Sequence, residues 1–475
     1  MEASRTRRSV GSIERAARDL DMAVRLAPDQ PNPLGARAIL LLEKGEHEQA
    51  LMDLTRAIEL KPDSGVFRAL RAAVFADLGR RDEAIADLVA SRRTGAGTLR
   101  VTDRLVVRMP WHTLTKEGRE LLPTELPPEP AVLLLRASAY QRLGMPEEVV
   151  VDASALIEVL PDCLPAYLAR GAAYAARDEF HRALQDLTAA VNLDGQSILA
   201  RRLRGSVYEK MGEFECAVAD YRAALANDPA NVELHHALAR VFLLSGKFED
   251  MVASLDHALD LVSDDAAALY LRGGGHFELE RFDEALADLN AAARLQPNNA
   301  HILFARSRVY RARNQLVAAL IDLDTTLQLD RANTQAAGYR GCMLIALGEH
   351  ERAIEDFRTV LLSDNPADFR ILFGEAGSNL KAESLQAFLA ACNEMIAQRS
   401  ADPYLRIIRG GAHYRLGDTD AALADLARAA QISPQTPAVY IIRRWVYERI
   451  GELEKAEHDR EILEKLPIVP RTETL

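Results

Sequence analysis

The chain has 475 residues, 48% of them hydrophobic, with a formal net charge of −12 and an isoelectric point near 5.5. That acidity argues against a nucleic-acid surface, which needs clustered basic charge, and no apolar run in the sequence approaches the ~20 residues that span a bilayer. The cysteines Cys163, Cys216, Cys342 and Cys392 lie far apart with no CxxC pair. They read as small packing residues rather than disulfides or metal ligands, in a reducing, cytoplasmic compartment.

Residues 1–12 are polar, and no apolar run follows their arginines, which argues against a secretory signal and predicts a disordered start. Ile13 to Leu26 carry Ala16, Leu20 and Ala23 and stop before Pro28, the pattern of one amphipathic helix without a partner. Either the chain begins mid-repeat, as a fragment would, or this helix caps an array. The fragment reading is favoured, because nothing in 1–12 could form the partner. A 34-residue unit then recurs, most legible at 198–231: two amphipathic helices, a turn between them and a proline after the second. Length alone would suggest about three globular domains. The period overrides that prior and predicts an elongated array with contacts only between neighbours.

Eleven copies begin at Pro31, Gly65, Pro130, Leu164, Ile198, Val232, Ala266, Ala300, Thr334, Pro403 and Pro437. Position eight is small (Ala38, Gly171, Gly205, Gly273, Gly341, Gly410), position eleven aromatic (Tyr140, Tyr174, Tyr208, Phe242, Tyr310, Tyr447), position fifteen commonly glycine and position twenty alanine. Two helices can cross closely only where a side chain is small, with large neighbours filling the space beside it. The expected order is a half repeat and two repeats over 13–98, a degenerate repeat or an inserted excursion over 99–129, and seven repeats over 130–367. A degenerate copy over 368–402, two repeats over 403–470 and a polar tail over 471–475 complete it. Pro127–Pro130 reads as extended and able to bend the array. In the degenerate copy Gly374 and Gly377 weaken the first helix, Leu385 to Ile396 still read as the second, and its interfaces are expected to be poor. The terminal repeat carries Arg444 and Arg460 where small or apolar residues are usual, as a solvent-facing end requires.

This pattern resembles the tetratricopeptide repeat (TPR) family over about nine tenths of the chain. The resemblance implies an all-α solenoid of stacked antiparallel helix pairs, a right-handed superhelix with a concave groove. The family's usual tryptophan at position four is absent, with Leu34, Leu133, Tyr167, Leu269 and Leu303 there instead.

Position seven, usually leucine in the family, is arginine here, and position twenty-three is aspartate in the same ten copies. The pairs are Arg37 and Asp53, Arg71 and Asp87, Arg136 and Asp152, Arg170 and Asp186, Arg204 and Asp220, Arg272 and Asp288, Arg306 and Asp322, Arg340 and Asp356, Arg409 and Asp425, and Arg443 and Asp459. The copy at Val232 has lost both, with Leu238 and Ser254. Charges kept and lost together predict a bidentate clamp between the two helices of a repeat.

No GxGxxG, GxxxxGK[ST] or HExxH motif occurs, and no segment outside the repeats is long enough for a catalytic domain. His276 and His413 stand at position eleven, where packing is expected. No catalytic residue, cofactor or metal is expected. Position nine lacks the asparagine with which family members clamp chaperone C-termini. By resemblance, positions two, five, nine, twelve and thirteen of each first helix face the groove. They are small toward the N-terminal end, then become Arg202, His236, Arg240, Tyr270, Phe277, His301, Phe304, Arg308 and Arg311. Arginines mixed with aromatics are what binding hot spots favour. Tyr404, Tyr414, Arg415, Trp445 and Arg449 form a second candidate patch. The expected function is a non-enzymatic scaffold that binds a protein or peptide segment, without nucleic acid or membrane insertion. The alternative is a regulatory or targeting segment of a larger enzyme.

Overall fold

The computed structural model describes residues 16–93, 128–363 and 380–466. Among them the secondary structure is entirely helical. The chain divides into two compact units, residues 1–247 and 248–475, and in each the helix pairs pack in sequence order as an α-solenoid.

The helices start and stop where local chemistry requires. Ser64, Ser197, Asn231, Asp265, Asn299, Asn333 and Asp402 stand one residue before a first helix, and each accepts a hydrogen bond from a backbone N–H two or three residues on. The turn between paired helices needs one left-handed residue. Glycine supplies it at φ 78° in Gly212, 81° in Gly348 and 83° in Gly451. Asp178, Glu280 and Asn314 hold the same place without glycine, at φ 58–59°.

Position eight is small because it meets the second helix of its own repeat. A Cβ on Gly205 would sit 2.6 Å from Cε1 of Tyr221, one on Gly273 2.8 Å from Cγ of Leu289, and one on Gly341 2.8 Å from Cζ of Phe357. Alanines Ala183, Ala217, Ala285 and Ala319 are fully buried beside these crossings.

In the first unit, helix 16–26 precedes Pro31–Glu43, and Asp21 reaches forward to Arg37. Residues 94–127 lie outside the described residues, so the choice between a degenerate repeat and an excursion over 99–129 concerns residues mostly beyond them. Their flanks pack directly. Helix Gly65–Asp77 lies against Pro128–Arg142, Arg142 Nη1 donates to Asp77 at 2.7 Å, and Arg81 Nη1 donates to the Leu143 carbonyl at 2.6 Å. One hydrophobic core runs through Leu70, Val74, Leu134 and Leu135. The extended reading of Pro127–Pro130 is corrected: Pro128 and Pro130 lie in the first turn of Pro128–Arg142. The first turn has no intrahelical partner for their absent N–H groups and suits their fixed φ.

In the second unit, residues 364–379 lie outside the described residues, with Gly374 and Gly377 among them. The second helix of that degenerate copy spans Ala382–Gln398. The expectation of poor interfaces does not hold for it. Leu385, Phe388 and Cys392 are buried in one core with Phe357, Leu405 and Ile408, because the apolar face survives although the charged pair does not. At the C-terminal end Arg444 and Arg460 are 39% and 55% exposed.

Candidate functional site

The arginine at position seven clamps its aspartate with two bonds, and in eight of the ten copies a third bond reaches back to the repeat before. In all ten copies Nε and Nη2 donate to the two oxygens of the position-23 aspartate. The distances are 2.7 Å for both bonds in Arg204–Asp220 and 2.8 and 2.7 Å in Arg306–Asp322. Arg37, Arg71, Arg136, Arg170, Arg272, Arg340, Arg409 and Arg443 repeat the arrangement with their own aspartates. In those eight copies Nη1 reaches back sixteen residues, to position 25 of the preceding second helix. Arg204 donates there to Thr188, Arg272 to Asp256, Arg306 to Asn290, Arg340 to Asp324 and Arg409 to Asn393. The fork thus ties both helices of its own repeat to the repeat before. These bonds raise the Arg204 and Arg306 guanidinium groups further above their ordinary range, against the opposing effect of burial.

Sequence reasoning missed this third acceptor because it compared positions only within one repeat. The signal was present. Position 25 is a short acceptor before most copies that carry the arginine, and it is itself arginine (Arg222, Arg358) before the two copies that lack one. Position four has a second role that was missed. Arg68, Arg201, His235 and Tyr440 each hydrogen-bond the carbonyl oxygen six residues earlier, closing the turn between repeats.

The nine groove candidates divide between the units, and each set is described by itself. Arg202, His236 and Arg240 belong to the first. Arg202 is half-buried and Arg240 exposed. Arg240 was expected to be unconstrained, because its repeat lacks the internal pair. Instead its Nε and Nη2 donate to Glu209 at 2.5 and 2.9 Å, and Tyr221 Oη donates to the same carboxylate at 3.3 Å. Loss of the position-seven clamp leaves Arg240 held across the repeat boundary.

The second unit contains Tyr270, Phe277, His301, Phe304, Arg308 and Arg311. Arg308 lays its guanidinium over Phe277 at 4.5 Å, and Phe277 meets Phe282 at 5.9 Å. Phe304 meets Tyr339 edge to face at 5.4 Å, and Arg311 lies over the same tyrosine at 5.4 Å. His301 is exposed at the start of its helix. These helices therefore present half-buried rings capped by guanidinium groups, which can take both an apolar side chain and a carboxylate. The second patch is partly assembled. Tyr414 and Trp445 meet at 5.2 Å, Arg449 lies over Trp445 at 5.4 Å, and Tyr404 is covered by Arg358. Arg415 is half-buried near Cys342.

Burial pushes the thiols of Cys342 and Cys392 up to about 12. With Cys163 they are packed inside, whereas Cys216 is exposed on the solvent side of helix Phe214–Asn227, which corrects its reading as a packing residue. Among the described residues no cluster of histidine, cysteine and carboxylate groups could hold a metal ion, and no helix is long and apolar enough to cross a membrane.

His276 fills the aromatic position eleven. Its side chain is 12% exposed and 3.9 Å from Asp288, and burial lowers its affinity for a proton. The unfolded chain takes up that proton below about pH 6.5, while the folded chain resists it. Stability present above pH 6.5 is therefore lost as pH falls through the folded value. His276→Phe is expected to raise the melting temperature by a margin that widens between pH 7.5 and pH 5.5. A pH-independent difference would refute this.

Family models described as "Tetratricopeptide repeat" match residues 34–64, 198–241, 236–299, 270–336 and 340–403. Among curated proteins, DnaJ homolog subfamily C member 3 from Gallus gallus is 29% identical over 131 residues, which is 24% of this chain and 26% of that protein. The chain thus matches about a quarter of the length of this relative. Among solved structures, YrrB, titled a TPR protein with an unusual peptide-binding site, is 22% identical over 39% of this chain and 95% of its own, with a TM-score of 0.35. A tetratricopeptide repeat protein from Parabacteroides merdae is 17% identical over 55% of this chain and 97% of its own, with a TM-score of 0.41.

Proposed function

Because the chain belongs to the tetratricopeptide repeat family, we propose that it is a non-enzymatic, cytoplasmic adaptor that holds a segment of a protein partner against the faces of its first helices. The observation that carries this reading is the arrangement in the second unit. There Phe277, Phe304 and Tyr339 lie half-buried or at the floor, with Arg308 and Arg311 stacked over rings. Rings already held by neighbours lose little freedom on binding, and a guanidinium group beside them adds orientation. The pairing arginines do not serve this role, since their forks are filled inside the array. Contacts spread along several helices give modest affinity that weakens with salt.

The test is affinity purification of the tagged chain with mass spectrometry, repeated with a variant carrying Phe304→Ala and Arg308→Ala that retains its helical content. Partners of the wild-type chain are expected to be lost or reduced about tenfold, as for removal of central interface anchors. Retention of every partner at unchanged affinity would overturn the assignment to these helices and move it to the patch around Trp445.

A further inference from the structure

The second helix Leu316–Leu329 breaks two rules that the rest of the array keeps. Position eighteen, in the first turn of each second helix, is acidic in nine of the eleven copies and histidine in one. A carboxylate there meets the partial positive charge of the helix N-terminus, which favours it. In this copy the residue is Val317, 68% exposed. Position twenty-two, one turn on, is alanine in five copies, and here it is Ile321, 62% exposed. Glutamate and alanine form helices more readily than valine and isoleucine, so neither the helix nor the core gains from the exchange. Met52 and Val151 also stand exposed at position twenty-two, but each follows an acidic residue at eighteen, Glu48 and Glu147. Single exposed apolar side chains are ordinary, whereas two on adjacent turns with no charge between them form a surface.

The charges of this helix are already engaged. Only Asp322 and Asp324 carry charge in Leu316–Leu329. Arg306 takes the first and Arg340 the second. Thr325, one turn past Ile321, donates its hydroxyl to the Ile321 carbonyl at 2.9 Å, so it needs no outside partner. Val317, Ile321 and Thr325 stand at i, i+4 and i+8 and share one helix face. The second helices on either side are tied to this one. Arg313, in the turn before it, pairs with Asp283 in the first turn of Phe282–Leu295. Arg352 of His350–Leu361 lies 3.8 Å from Asp324. Beside those contacts stand Glu284 on one side and Glu351 and Glu355 on the other. All three are exposed and without an ion-pair partner among the described residues. The result is an uncharged strip flanked by free carboxylates.

We propose that this strip is a docking face for an amphipathic helix of a partner protein, one whose apolar edge is flanked by lysine or arginine. The apolar edge covers Val317 and Ile321 at helical spacing. The basic residues reach Glu284 on one side and Glu351 and Glu355 on the other. Charge selects this occupant. A second copy of the chain would set the same carboxylates against each other, and an anionic bilayer would be repelled by them. One helix on one strip buries less than a standard interface, so the affinity is modest. The inference does not rest on the reading of the first helices, because it uses none of their residues.

The test is a displayed library of a helical peptide with one face randomised. It is selected on the full chain after depletion on the full chain carrying Val317→Glu and Ile321→Ala. That double change restores residues the array uses elsewhere, and the depletion removes peptides that bind other surfaces. Enriched peptides are expected to carry an apolar edge flanked by Lys and Arg. By fluorescence anisotropy the most enriched peptide should bind the doubly changed chain about tenfold more weakly. Glu351→Gln with Glu355→Gln should weaken it less and flatten its salt dependence. The Val317→Glu, Ile321→Ala chain should melt about 1–3 °C higher than wild type, so stability and binding move in opposite directions. Four results would overturn the proposal: no enriched peptide, enrichment without basic flanks, unchanged binding by the double change, or a doubly changed chain less stable than wild type. Two further measurements on the chain alone test the other occupants. A concentration-dependent dimer in sedimentation that the double change abolishes would assign the strip to a second copy. Retention on anionic lipid vesicles that it abolishes would assign the strip to a membrane surface.

Discussion

Replacing Asp220 with alanine is expected to destabilise the helices around it by about 2–4 kcal/mol, within the range for breaking one side of a buried ion pair. Asp220 is 5% exposed and Arg204 16% exposed, so the arginine left behind keeps a largely desolvated charge with only Thr188 to bond. Removing both charges should cost less than the sum of the two single changes. The chain already tolerates such a double replacement, with Leu238 and Ser254 at the corresponding positions. Both are buried, and Ser254 turns its hydroxyl onto the Asp250 carbonyl, leaving no charge unpaired. The comparison is therefore Arg204→Leu, Asp220→Ser and the two together. Coupling of about 1 kcal/mol or more is expected, well above the 0.2–1 of an exposed pair. Hydrogen exchange across Ile198–Met211 and Phe214–Asn227 is the suitable readout, because an array need not unfold in one step. Strictly additive single changes would show that the pair, however short its bonds, adds nothing jointly. Arg204→Lys should behave nearly as badly as loss of the charge, since an ammonium group cannot span Asp220 and Thr188 with a planar fork.

This bridge also shows how far the sequence could be read. The helix pairs were legible because each repeat imposes the same local demands. Position eight must be small against Leu187, Tyr221 or Phe357, and the turn must have one left-handed residue. Where glycine gives way to Asp178, Glu280 or Asn314 the period still carried the assignment. The Arg–Asp pairs were legible because both partners sit in one repeat and vanish together. Contacts that cross a repeat boundary were not. Thr188 and Asn290 are ordinary polar residues until the neighbouring arginine is placed beside them, and Glu209 gives no sign in the sequence that it holds Arg240 from 31 residues away. The candidate face was legible in residue types and not in arrangement. That Arg308 covers Phe277 depends on the distance between first helices. Pro128–Pro130 misled because proline suits an extended run and a helix's first turn alike.

The degenerate copy before Pro403 gives the second large effect. Its charged pair is gone, yet Phe388 in helix Ala382–Gln398 is fully buried. It meets Phe357 edge to face at 6.2 Å and His350 at 5.9 Å. On the other side Asn393, one turn beyond, accepts the backward bond of Arg409. Phe388→Ala is therefore expected to cost about 3–5 kcal/mol, as for a fully buried aromatic whose site cannot collapse. Phe388→Leu should cost much less because it keeps most of the volume. The effect should spread in both directions, because stability in a stacked array is a sum of repeat and interface terms. Exchange should quicken in His350–Leu361 before the helix and in Pro403–Arg415 after it. If Phe388→Ala leaves both as protected as in the wild-type chain, the helix is a passive spacer and the cores on its two sides are independent. If exchange quickens on one side only, the surviving apolar face holds that neighbour alone, and the lost Arg–Asp pair is what the other interface lacks.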